Sequence, residues 1–262
     1  MEAIKGGQRP ASDPDHKVLR SIFFGEGGVG KSTAALTFPP PLYILNCDKP
    51  IGDLLTRLPA NYDVFYERLV FDDVDTLTPQ MAKQYLVTAN AMVRKALKEG
   101  EGGTLFIDGA DNLHQAVTIA LLPANDPGAW AYASVNSWWD SHYRRCSGRN
   151  INWVMTTFSK AEWGAGGAPS GRQLMEGWKW MKRWLVQAAY FYIKTATDPT
   201  TFPTDRPTGG VNLEFRTQIT EAKEKKALIG RTMSKLSYKL LYKLYYGELP
   251  PNHEQLWTPE YQ

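Results

Sequence analysis

Residues 25–33 read GEGGVGKST, and their types and spacing suit the holding of a polyphosphate. Gly25, Gly27, Gly28 and Gly30 let the backbone curl until its N–H groups point inward. Lys31 then reaches the β- and γ-phosphates of ATP, the Ser32 hydroxyl is offered to Mg²⁺, and Thr33 completes the loop. TLFID, residues 104–108, supplies the second half of such a site. Four apolar residues bury the strand, and Asp108 emerges at its carboxyl end, where an open α/β sheet binds ligands. Asp108 is expected to hold the magnesium, with a cap on the next helix as the plainer alternative. Asp111 reads as a helix cap. A hydrolase also needs a carboxylate to orient the attacking water, and the residue after Asp108 is Gly109. Asp48, ending the run LYILNCD, is the best placed candidate. Glu26 sits inside the loop, where an inward charge would repel phosphate, so it is expected to point outward.

These residues need a scaffold. VLRSIFF (18–24) is a β-rich run that stops at Gly25, and STAALTF (32–38) begins a helix that the three prolines at 39–41 end. The loop therefore sits between strand and helix, at a helix N-terminus that favours anions. LYILNCD (42–48), YDVFYERLV (62–70), TLFID and INWVMTTF (151–158) read as further strands. From Thr78 a helix is expected, with Pro79 in its first position, Met81, Tyr85, Val93 and Leu97 on its apolar face, and Gly100 closing it. Another helix is expected from about 112 to 122. RQLMEGWKWMKRWLVQ (172–187) places Leu174, Trp178, Met181 and Leu185 on one helical face. AYFYIKT and VNLEFRTQI look like late strands and SKLSYKLLYKLYYG like an amphipathic helix. Strands alternating with helices argue an α/β fold with a mainly parallel central sheet and helices on both faces.

Composition narrows the class. The 262 residues suffice for one large α/β domain with insertions. No apolar run reaches the roughly 18–20 residues of a membrane helix. The polar start lacks a secretory h-region, and Cys47 and Cys146 show no metal or disulfide spacing. A cytoplasmic chain without a membrane partner is the expectation, and a net charge of +3 says little about nucleic acid. The domain reading is a flexible lead-in over 1–17, one ATPase domain over 18–231 with a Trp-rich insertion at about 123–150, and a C-terminal helix and tail over 232–262.

Taken in order, these pieces resemble the RecA-like P-loop ATPases, and in particular phage-encoded proteins that keep little beyond the RecA core, some of them single-strand annealing recombinases. GEGGVGKST resembles their phosphate loop, and LYILNCDKP the strand whose trailing acid activates water, which points to Asp48. GGTLFIDGADNL resembles their magnesium strand, and WVMTTFSK the sensor strand whose polar tip couples the γ-phosphate to a DNA-binding loop. The tip here would be Thr156 or Thr157, where the family often has glutamine or asparagine; Asp48 likewise stands where glutamate is usual. The resemblance implies an ATP- and Mg²⁺-dependent ATPase, a homo-oligomer, acting on single-stranded DNA beside phage replication or recombination proteins in the host cytoplasm. Two other readings stand beside it. A partition-type dimeric switch ATPase shares most of the loop, but carries a lysine where this chain has Glu26, and that reversal removes the charge the switch uses. A stand-alone nucleotide binder or small-molecule phosphotransferase is the other.

WGAGGAPSG follows the sensor strand where the resemblance puts the DNA loop. Lys160, Trp163 and Arg172 there suit a single strand, with phosphates neutralised and a base stacked; equally, Trp163 could fold back on the sheet edge. Trp178 and Trp184 read as core. Trp138, Trp139, Arg144 and Arg145 suit a second DNA loop, a packed insertion or a subunit contact, and His142 reads as polar surface. In RecA-like proteins the region of TQITEAKEKKALIGR sends basic residues into a neighbour's nucleotide. Lys223 and Lys225, two apart on an extended segment, would share one side; a solvated turn is the alternative.

Overall fold

The apolar runs pair mainly in parallel because their residues are buried on both faces. A computed structural model describes residues 17–69, 77–122, 132–163, 169–176, 187–194, 214–223 and 225–259. Along the chain come β1 (Arg20–Gly25), α1 (Lys31–Ala35), β2 (Leu42–Asn46), α2 (Gly52–Leu55), β3 (Val64–Arg68) and α3 (Pro79–Glu99). There follow β4 (Thr104–Asp108), α4 (Ala110–Leu121), α5 (Tyr132–Ser147), β5 (Asn152–Thr157), β6 (Ser159–Trp163) and β7 (Pro169–Met175). The last elements are β8 (Gln187–Lys194), β9 (Glu214–Ala222), β10 (Thr232–Met233) and α6 (Tyr238–Tyr246).

The main sheet has the order β10-β9-β8-β1-β5-β4-β2-β3. Pairs from β8 through β3 are parallel, and only β8–β9 and β9–β10 are antiparallel. Two cores flank it. Ile22 and Phe24 point into one, with residues of α3, α4 and α5; Phe23, between them, points into the other, with residues of α1 and α6. This is the mainly parallel α/β layout, helices on both faces, expected of a RecA-like core. Among the described residues no helix is long and apolar enough to cross a membrane.

Helix α3 starts and stops where its residues say. The Thr78 hydroxyl accepts from the Met81 N–H at 3.3 Å, Pro79 occupies the first turn, and the Gly100 N–H donates to the Ala96 carbonyl at 2.8 Å. Its buried stripe is Ala82, Leu86, Ala89, Met92, Val93 and Ala96, and Tyr85 and Leu97 are partly buried against the same core; of the expected face only Met81, 40% exposed, lies off it.

Other expectations change. Residues 172–175 are not helical: they belong to β7, which pairs with β6. Residues 177–186 of that expected helix, with Trp178 and Trp184, lie outside the described residues, as do the lead-in 1–16, residues 123–131 and 164–168, while Gln187 opens β8. The Trp-rich stretch is helix α5 from Tyr132 onward, and it packs. Trp139 is fully buried, and Tyr143 stacks on Trp153 at 4.4 Å between ring centroids. His142 is buried rather than surface, its Nδ1 2.7 Å from the Trp138 carbonyl. Arg144 stays exposed and pairs with Asp140 at 2.7 Å, one helical turn away.

Candidate active site at the carboxyl edge of the sheet

Because β1, β2, β4 and β5 run parallel, their carboxyl ends share one edge, and β5 separates β1 from β4. That order brings Gly25, the Asp48 turn, Asp108 and the Thr156–Thr157 tip together. Gly25 has φ +150°, and a Cβ there would lie 2.2 Å from the Phe191 carbonyl oxygen, so only glycine fits where the loop leaves β1.

Lys31 and Ser32 open α1. The Lys31 ammonium donates to the carbonyls of Gly25 at 2.8 Å and Glu26 at 2.6 Å, folding over its own loop. The Glu26 side chain is exposed, in keeping with an outward carboxylate. The Ser32 hydroxyl donates to Asp108 Oδ1 at 2.9 Å. Asp108 Oδ1 also accepts from the Thr156 hydroxyl, which in turn accepts from the Gly109 N–H at 2.9 Å. Thr156 is thus the tip residue that bears on Asp108. Thr157, the expected member of the pair, instead donates to the Glu176 carbonyl at 2.9 Å.

Asp48 is held by its neighbours. Asn46 is registered opposite Asp108, its Oδ1 accepts from the Asp48 N–H at 2.8 Å, and its amide donates to the Tyr66 hydroxyl at 3.0 Å. The Asn112 amide donates to the Cys47 carbonyl at 2.7 Å. Gly109 adopts φ +79°, and a Cβ on it would stand 3.0 Å from the Asp48 Cβ. The Asp48 turn therefore occupies the space that a side chain after Asp108 would need.

The electrostatics are those of an anion-rich edge around the Lys31 ammonium. Burial pushes the Asp108 carboxyl up from the usual range; the Thr156 and Ser32 hydroxyls offset this, and Asp48 adds to it. Burial pulls the Lys31 ammonium down, offset by Asp108, Asp48, Asp111 and Glu26. Asp111 does not cap α4, because Gly109 takes that position in a left-handed conformation. Its carboxyl is raised to about 6 by burial, with Glu176 and Asp48 adding to the rise. Glu176, at the end of β7, has no motif in the sequence; only the fold-back of the β6–β7 hairpin brings it here. Its N–H donates to the Phe158 carbonyl at 2.9 Å.

Mg²⁺ fits the donor set. A hydroxyl and a carboxylate, already joined by a hydrogen bond, are hard oxygen ligands, and Mg²⁺ completes its shell with water and phosphate oxygens. A cation between Ser32 and Asp108 would also relieve the buried carboxylate.

Lys160 is exposed on β6 and lines a cleft of about 550 Å³ with Asp111, His114 and Glu176. Trp163 and Arg172 fall on the two strands of the hairpin, their side chains outside the described ones. Strand β9 ends at Ala222; Lys223 follows it and Lys225 precedes a 3-10 turn at Lys226–Leu228, with residue 224 between them outside the described residues.

No protein-family model matches the chain, and no curated protein matches it. Among solved structures it is similar to a KaiC-like protein of the hyperthermophilic archaeon Pyrococcus horikoshii, at 11% identity and a TM-score of 0.44 over 82% of this chain and 84% of that one. It is also similar to a prototypical ATPase of the type III secretion system of pathogenic bacteria, at 17% identity and a TM-score of 0.46. A third is the assembled ATPase EscN of the enteropathogenic E. coli type III secretion system, at 14% identity and a TM-score of 0.43. The chain spans 51% and 43% of the lengths of these two secretion ATPases.

Proposed function

We propose that the chain is a Mg²⁺-dependent, RecA-like ATPase that acts as a homo-oligomer on single-stranded DNA in phage or mobile-element recombination or replication. The observation that carries the nucleotide reading is the Ser32–Asp108 hydrogen bond at 2.9 Å, which joins the phosphate loop to the strand tip with Lys31 alongside. On binding ATP, Lys31 exchanges the Gly25 and Glu26 carbonyls for phosphate oxygens, and Asp48 orients the attacking water. Bound Mg²⁺ supplies charge neutralisation at the β- and γ-phosphates.

The hairpin supports the DNA reading. It leaves β5 directly after the Thr156–Thr157 tip, and Thr157 and Phe158 both bond to Glu176 at its far end. The Lys31 ammonium lies 5.1 Å from the Phe158 ring centroid, within cation–π range. Moving Lys31 onto phosphate releases that ring, at the base of the strand that carries exposed Lys160. The test is ATP turnover with and without single-stranded DNA across a salt series. Stimulation that fades as salt rises is expected, because counterion release drives such binding. Stimulation only by duplex DNA with a small partner protein would instead support the partition-type switch, and indifference to both a stand-alone nucleotide binder.

A further inference from the structure

On the other side of the phosphate loop from Asp108, toward β8 and β9, lies a cavity of about 790 Å³. It shares Gly28, Gly30 and Thr33 with the loop, so a ligand whose phosphates occupy the loop has the rest of its body within reach of this space. Among the described residues, one wall comes from the sheet: Phe191 on β8, and Thr217 and Phe215 on β9. Another comes from the C-terminal segment, Trp257 to Pro259. That segment is tied down. Leu256 is buried, the Trp257 N–H donates to the Tyr62 hydroxyl at 2.6 Å, and the Lys239 ammonium donates to the Thr258 hydroxyl at 3.1 Å.

The lining offers aromatic rings and hydroxyls that suit a nucleoside, beside the cations Arg57 and Lys235. Phe215 is 41% exposed, a large aromatic lining a space that none of the described residues fills. Trp257 is only partly buried, and the hydroxyls of Thr217 and Ser234 suit ribose and base edges. The volume lies within the roughly 300–1,000 Å³ of small-molecule sites, which combine apolar walls with a few polar groups. We propose that this cavity receives the nucleoside of the bound nucleotide, with Phe215 and Trp257 bearing on the base, so that the C-terminal segment sets nucleoside affinity. The proposal rests on the phosphate-loop reading and extends it to residues outside the loop.

The experiment titrates the full chain, in Mg²⁺, with ATP and separately with inorganic tripolyphosphate, which has the phosphates and no nucleoside. Phe215→Ala and Trp257→Ala are each expected to weaken ATP binding about tenfold, the scale of one lost base–aromatic stack, and to leave tripolyphosphate binding unchanged. Phe215 is exposed enough for its truncation to spare the fold, and tripolyphosphate binding reports an intact loop in the same sample. Unchanged ATP affinity in Phe215→Ala overturns the proposal, as does parallel loss of both ligands in both variants. Lys31→Ala is expected to lose both ligands. If it binds both as the wild type does, the phosphate-loop reading itself fails, a result distinct from the first two.

Discussion

Replacing Thr156 by valine keeps the size of the side chain and removes its hydroxyl. That hydroxyl is buried, donates to the Asp108 carboxylate and accepts from the Gly109 N–H at 2.9 Å. Valine therefore deletes a hydrogen bond to a charged group, worth about 1.5–3 kcal/mol, and strands a buried N–H at a cost of about 1–3 kcal/mol. The two losses share one atom and do not simply add, so the expected destabilisation is about 2–4 kcal/mol. Urea denaturation measures it as a lower midpoint with an unchanged slope. Thr156→Ser keeps the hydroxyl and should recover most of the loss. A Thr156→Val protein within about 0.5 kcal/mol of wild type, the range of an ordinary surface change, would refute the reasoning, as would a serine variant as damaged as the valine one. The hydroxyl also offsets the upward pull of burial on Asp108, so the valine variant should show weakened Mg²⁺-dependent turnover as well.

Asp111→Asn should stabilise the protein at pH 7.5. The Asp111 carboxyl is raised to about 6 in the fold, so above that pH the native state carries a charge it disfavours. The penalty, about 1–3 kcal/mol, fades as pH falls through 6 toward the unfolded value, and denaturation at several pH values should show the gap closing; a constant or reversed gap contradicts it. Asp48→Asn should slow hydrolysis about a hundredfold or more with little change in ATP affinity, whereas Glu26→Gln should do little; steady-state kinetics beside equilibrium binding decide, and the reverse order would mean the wrong carboxylate.

What the residues revealed in advance was whatever local chemistry determines. The phosphate loop needs its glycines in one order, Thr78-Pro79 and Gly100 bound α3, and TLFID is too apolar to be anything but buried. What stayed hidden depends on partners far along the chain. Residues 172–175 pair with β6 rather than completing a helix, and no local period can announce that pairing. Choosing between Thr156 and Thr157 requires knowing that β5 lies beside β4, so that only one of two alternating side chains meets Asp108. Asp111 could not be recognised as a buried acid before Gly109 had taken the cap, and Glu176 reaches the site only because the hairpin folds back. His142 looked unpartnered because its contact, the Trp138 carbonyl, is backbone on the same helix.

ATP turnover in Mg²⁺ by the wild-type chain beside Lys31→Ala and Asp108→Asn tests the central claim most directly. The lysine meets phosphate itself and the aspartate acts through the metal. Turnover by the wild type, loss of both binding and turnover in Lys31→Ala, and retained binding without turnover in Asp108→Asn are the results expected. Wild-type rates in both variants, or no turnover by the wild type with or without DNA, would contradict the account.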